Sequence, residues 1–124
     1  MAKKRKRECD ENVLAALMKL KFPIYDKRHN LLVDLDNGRA RSNESRFEHI
    51  TRSYHKLTIE DIKTIPEGIL NARLRKDPSR KNTYNYYYQR NGDKAHYIKI
   101  SVIIKKGETR TAKIKTIFRV TVIK

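Results

Sequence analysis

The chain has 124 residues, enough for one domain with a modest core and too few for two full-sized ones. Thirty Lys and Arg stand against fourteen Asp and Glu, a net charge of +16 that favours a polyanionic partner. Its one cysteine, Cys9, closes no internal disulfide, and no stretch approaches the roughly 18 apolar residues of a membrane span, which argues against a disulfide-stapled scaffold and a membrane partner and for a reducing, cytoplasmic setting.

Residues 1–9 read as a basic arm in which Lys3, Lys4, Arg5, Lys6 and Arg7 repel one another, with no apolar signal core behind them; it is expected to be disordered when free. Residues 10–124 read as a single α+β domain. Asp10 can cap a first helix whose Val13, Leu14, Leu17, Met18 and Leu20 recur at helical spacing until Phe22-Pro23. Ile24 to Val33 mixes apolar and charged residues, with a strand expected near Leu31 to Leu35, and Asp34 to Gly38 reads as a turn. That turn lacks a calcium loop's twelfth-position glutamate, since Ser45 falls there.

Ser42 or Asn43 can cap a second helix with Phe47, Ile50 and Tyr54 on its apolar stripe and His49, Arg52, Ser53 and Lys56 toward the other side. Thr58 opens a third, with Asp61 completing an imperfect capping box and Ile59, Ile62 and Ile65 inward until Pro66 ends it. A loop or short helix through Ile69, Leu70 and Leu74 to Pro78 follows.

The last third is strand territory, and from Ser79 onward it carries twelve Lys or Arg against only Asp93 and Glu108. Tyr84 to Arg90 leads into Asn91-Gly92, a hairpin signal. A two-residue loop would pair Tyr87 with His96, and a four-residue loop Tyr87 with Ile98. In the next strand Ile98, Ile100, Val102 and Ile104 alternate with Tyr97, Lys99, Ser101 and Ile103. In the last, Ala112, Ile114, Thr116, Phe118, Val120 and Val122 share one face, and Lys113, Lys115, Ile117, Arg119, Thr121 and Ile123 the other. The expected fold is α+β, with N-terminal helices packed on one face of a three- to four-stranded antiparallel sheet whose other face is basic.

The residues leave little room for several chemistries. His49 and His55 are six apart, about 120° on a helix, and there is no His-Glu-x-x-His or Cys-x-x-Cys. The four glycines are scattered, and no Gly-x-Ser-x-Gly is present. Neither a metal nor another cofactor is expected. Phosphodiester transfer needs only a base, an acid and cations, which His49, Arg52, His55 and Lys56 offer beside Lys99, Lys113, Lys115, Thr116, Arg119 and Thr121, with Tyr84, Tyr86, Tyr87 and Tyr88 as rings for bases. Each has a plainer reading, the helix as a solvated basic face and the tyrosines as strand filling. His29 and His96 read as loop or strand-surface residues.

The segment Phe47-Glu48-His49-Ile50-Thr51-Arg52-Ser53-Tyr54-His55, then Leu57 to Ile62, Ile65-Pro66, Tyr86-Tyr87 and Lys115-Thr116-Ile117-Phe118-Arg119, resembles phage-encoded nucleases of the barnase, EndoU, colicin D and RelE-like fold. The resemblance spans roughly Arg46 to Arg119. It implies helices against an antiparallel sheet and metal-independent RNA cleavage, with His49, His55 and Arg52 as catalytic residues and Thr116 as the strand hydroxyl. Charge and strand position add Lys56, Tyr87, Arg90, Lys99, Lys113, Lys115 and Arg119 as RNA contacts. Thr116 sits in conflict with this role: strict alternation puts it on the apolar face unless a bulge re-aims it. The implied activity is endoribonuclease, as in a toxin or phage effector, with RNA and an acidic immunity or antitoxin protein as partners. The rival is a non-catalytic nucleic-acid-binding module, either an RNA-binding protein or a winged helix on DNA using Arg73, Arg75 and Lys76.

Overall fold

The computed structural model describes residues 11–36, 50, 56–90, 94–105 and 110–123. The first helix, α1 (Glu11–Met18), buries Val13 and Leu17, while Met18, expected inward, is 61% exposed at its C-terminal end. The basic arm and Asp10 lie outside the described residues, as do Ser42, Asn43, Phe47 and Tyr54 of the second expected helix. Ile50 of that helix is helical and fully buried in the core.

Thr58 caps α2 (Ile59–Lys63) with both arms of a capping box: its hydroxyl accepts from Asp61 N at 3.2 Å, and its own N–H donates to Asp61 Oδ2 at 2.9 Å. Pro66 does not end the helical run. It stands in the first turn of α3 (Ile65–Asn71), where a missing N–H costs nothing, so Thr64 becomes the junction between two short helices. Ile62, Ile65 and Ile69 are buried beneath them.

Six strands form one sheet: β1 (Ile24–Asp26), β2 (Leu31–Leu35), β3 (Arg73–Lys76), β4 (Thr83–Tyr88), β5 (Tyr97–Lys105) and β6 (Thr111–Val120), in the order β1-β2-β6-β5-β4-β3. The β2–β6 pair is parallel and the rest antiparallel. This corrects the expected fold class. The sheet is mixed and six-stranded, and among the described residues 42% are strand and 24% helix, so it is no three- to four-stranded antiparallel sheet under N-terminal helices. Two short edge strands account for much of the difference. Arg73–Lys76, read as loop or short helix, is β3, held by pairing with Tyr84–Tyr87, and Ile24–Asp26 is held against Leu31–Val33. Asp34 and Leu35, read as turn, continue β2.

The β4–β5 register is neither of the two alternatives: Tyr87 lies opposite Lys99 and Tyr88 opposite Ile98. Tyr86 and Tyr88 therefore share the core face with Ile98 and Ile100, and Tyr87 takes the opposite face with Lys99. The sheet curls so far that β1 meets β4 across the core. Tyr86 Oη donates to Asp26 Oδ2 at 2.5 Å, and Arg28 donates to the carbonyl of Ala72, just ahead of β3, at 2.5 Å. The core within the curl takes in Leu31, Val33, Ile100, Val102, Ile114 and Ile117. Among the described residues no helix is long and apolar enough to cross a membrane.

Gly68 lies in α3 against the Tyr88 ring, and a Cβ there would fall inside the ring's envelope. Tyr88 is buried and its hydroxyl lies 3.2 Å from that of Thr64, so the ring cannot swing away freely. Gly68→Ala gains helix propensity of roughly 1 kcal/mol but incurs an overpacking cost of about 1–3 kcal/mol. The expected result is a net loss of stability in thermal melts, relieved in the Gly68→Ala/Tyr88→Leu pair. An unchanged melting temperature in the single variant would refute the packing argument.

Burial pushes the Tyr86 hydroxyl well above the usual tyrosine range, with Asp26 adding to the shift, and burial does the same for Tyr88. Raised folded-state values mean stability is complete below a free tyrosine's pKa of about 10 and falls as pH climbs above it, because the unfolded chain ionises there first. Two tyrosines' worth of tyrosinate absorbance is thus expected to appear only together with loss of far-ultraviolet dichroism.

Candidate functional site

Strand pairing sorts the sheet into two faces. A β-bulge in β6 decides the outcome: Val102 pairs with Ile114 but Ser101 pairs with Thr116, leaving Lys115 as the extra residue. The bulge falls where β2 stops pairing with β6, at Ile114, and Asp36 N–H donates to the Ile114 carbonyl there. Beyond it every β6 side chain changes face. Ile117 and Arg119 turn toward the core opposite Ile100 and Ile98, while Thr116 and Phe118 turn to the open face opposite Ser101 and Lys99. The strict alternation that placed Thr116 and Phe118 inward and Ile117 and Arg119 outward fails at this one residue, and the conflict over Thr116 disappears with it.

The middle of this second face, called the open face for its lack of the main core, is polar and itself largely enclosed, with Asn85 1%, Ser101 6% and Thr83 6% exposed. Ser101 Oγ donates to Asn85 Oδ1 at 2.7 Å, and Asn85 Nδ2 donates to Asp77 Oδ2 at 3.1 Å. The Ser79 backbone N–H, followed by Asn85, holds the Asp77 carboxyl far below the ordinary carboxylate range. Next in the row, Thr116 is 8% exposed, and its Oγ1 has no hydrogen-bond partner among the described residues. A buried hydroxyl left unpaired costs about 1–3 kcal/mol.

Cations frame the row. Lys99 lies beside Tyr87 and Phe118, and Arg73 and Arg75 on β3 stand opposite Tyr87 and Asn85. None of Lys99, Arg73 and Arg75 has a carboxyl partner among the described residues. Lys113 and Lys115 reach β2-side carboxyls, Asp34 at 3.9 Å and Asp36 at 2.5 Å. Both pairs are partly exposed, a setting in which an ion pair is worth little and exchanges readily.

The other sequence-derived candidates fall elsewhere. His49, Arg52 and His55 lie outside the described residues; Lys56 is exposed in the connection to α2. Tyr87 is on the open face but only 2% exposed, so it has no ring face for a stacked base. Arg90 and Arg119 serve the interior instead. Arg90 Nε donates to Asp61 Oδ1 at 3.1 Å, and Arg119 Nε lies 3.8 Å from Asp61 Oδ2. Asp61 is 1% exposed and acts at once as capping residue and as partner to two guanidiniums. The proposed recognition element of a winged helix, Arg73 to Lys76, is a strand.

One constellation carried no sequence signal. His29, read as a surface loop residue, brings Nδ1 to 2.8 Å from Asp26 Oδ2, and Asp26 also accepts from Tyr86. The His29 ring meets Tyr86 edge-on at 6.2 Å, and Arg110 donates to the His29 carbonyl. Only the curl of the sheet, which brings Tyr86 against Asp26 and His29, makes the trio visible. Among the described residues no three His, Cys, Asp or Glu side chains converge. Compared with family models, curated proteins and solved structures, the chain finds no match in any of the three.

Proposed function

We propose that the chain is a metal-independent endoribonuclease that holds single-stranded RNA on the open face of the sheet. The observation that carries this reading is the bulge at Lys115, which sets a buried threonine hydroxyl with no hydrogen-bond partner among the described residues beside Ser101 and on the same face as Lys99. Phosphate oxygens are the natural partners of such a set, because lysine and arginine supply charge and a hydroxyl supplies one directed hydrogen bond. Phe118 is partly exposed and presents an aromatic surface on the same face.

The reaction needs no cofactor. A base removes the 2′-hydroxyl proton, the 2′-oxygen attacks phosphorus, and the 5′-oxygen leaves with a proton from an acid, giving a 2′,3′-cyclic phosphate and a free 5′-hydroxyl. Thr116 and Lys99 would hold the equatorial oxygens as charge builds. His49 and His55, with Arg52, remain the residues that the nuclease resemblance implies for the proton transfers. An acidic neutralising protein is the partner that the charge and a toxin role together favour.

The test is incubation of the full chain with single-stranded RNA in excess EDTA, with product ends read for the cyclic phosphate. Thr116→Val should slow cleavage by about a hundredfold, the scale of one lost transition-state donor, and should stabilise the fold by about 1 kcal/mol because it removes an unpaired buried hydroxyl. Intact RNA at saturating protein would sink the nuclease reading. Full cleavage by Thr116→Val would remove Thr116 from it.

A further inference from the structure

At the end of β4 the sheet, α2 and α3 flank a half-open pocket of about 670 Å³, reached also by Ile123. Sites for small ligands run from roughly 300 to 1,000 Å³, so a nucleotide fits. Tyr87 and Tyr88 form part of its wall, and Gly68 is what allows the Tyr88 ring to lie so close to α3.

The hydrogen-bonding groups in the lining are unequal. Asn71 donates its N–H₂ to the Glu67 carbonyl at 3.0 Å, and Gln89 donates its own to the Lys94 carbonyl at 3.1 Å. Each keeps its carbonyl oxygen and a second N–H. Glu60 and Glu67 add two carboxyl groups, and among the described residues no donor meets either side chain. With two carboxyl groups and two amide oxygens in its lining, the pocket suits a ligand that presents N–H donors. Lys63 and Arg73, both exposed and without a carboxyl partner among the described residues, supply positive charge to the same lining. Arg73 is also the cross-strand neighbour of Tyr87, so the pocket adjoins the open face that carries Lys99.

We infer that this pocket binds one splayed nucleobase bearing an amino group, with its phosphate on Arg73 and Lys63, and thereby sets a base preference for the RNA. The inference rests on the RNA reading of the open face. Guanine, adenine and cytosine each carry an exocyclic amino group for the Glu60 and Glu67 carboxyls to accept from, whereas uracil offers only one ring N–H.

The experiment titrates the full chain with the 5′-monophosphates of guanosine, adenosine, cytidine and uridine, followed by tyrosine fluorescence. The three amino-bearing nucleotides should bind saturably, with uridine monophosphate at least about tenfold weaker, a difference of about 1.4 kcal/mol. The Glu60→Gln/Glu67→Gln variant replaces exposed side chains and should keep the fold while narrowing that preference to about twofold. Absence of saturable binding, equal affinity for all four, or a preference untouched by the double variant would each overturn the inference. Oligonucleotide binding and cleavage on the same preparation separate the two readings. RNA held and cut without nucleotide binding removes the pocket alone, while nucleotide preference without RNA cleavage upholds the pocket and removes the nuclease.

Discussion

Replacing Asp26 by alanine is expected to cost the fold about 3 kcal/mol and to lower the melting temperature by roughly 10 °C or more. Asp26 is 0% exposed and accepts from the Tyr86 hydroxyl at 2.5 Å, while His29 Nδ1 lies at 2.8 Å. Alanine would leave Tyr86 Oη unsatisfied in an apolar interior, and that desolvation, more than the loss of the bond itself, sets the size of the effect. The same contact joins edge strand β1 to β4 across the curl, so its loss also loosens the approach of those two strands. Asp26→Asn retains one acceptor and should fall between wild type and alanine. Tyr86→Phe removes the stranded hydroxyl, so the Asp26→Ala/Tyr86→Phe pair should cost less than the two single changes added, by about 1 kcal/mol or more. Strict additivity, or a melting temperature for Asp26→Ala within about 2 °C of wild type, would show that the network does not hold the curl.

What could be read from the sequence, and what could not, divides along the range of the interactions involved. The Thr58–Asp61 box is local, a matter of four residues, and it forms as expected. The apolar row of β5 is also local, because alternation against a core needs no knowledge of the partner strand. The edge strands are different. Arg73-Leu74-Arg75-Lys76 has no apolar periodicity of its own and becomes β3 only because Tyr84–Tyr87 offers it a ladder. Asn91-Gly92 signals a turn but not the register, which follows the burial of Tyr86 and Tyr88 against Ile98 and Ile100. The bulge at Lys115 escapes any period-two reading, and it alone moves Thr116 and Phe118 to the open face and Arg119 to the core. The pocket joins residues 60–73 to residues 87–90 and Ile123, segments that nothing in the linear order connects.

Removing Arg75, Lys99 and Lys113 as charges, each to glutamine, should weaken RNA binding by roughly ten- to a hundredfold at low salt and leave the melting temperature nearly unchanged. Each phosphate contact on a single strand contributes about −0.7 to the slope of log K against log salt, so the triple variant's slope should be shallower by about 2. Arg75 and Lys99 have no carboxyl partner among the described residues, and Lys113 has only the partly exposed Asp34 at 3.9 Å, so little stability rests on them. Arg90 and Arg119 are equally cationic in the sequence yet turn toward Asp61, which is almost fully enclosed. Arg90→Gln and Arg119→Gln should therefore show the reverse pattern, a lower melting temperature with a salt slope near that of wild type, because an acid stripped of a guanidinium partner is left desolvated without compensation. The contrast is what gives the measurement its force, since total charge falls in both sets and the change in slope per charge removed reports position. If the Arg90 and Arg119 variants flatten the slope as much as the open-face variants do, RNA follows another surface, and the division of cations into a phosphate-binding face and an internal brace for Asp61 is wrong.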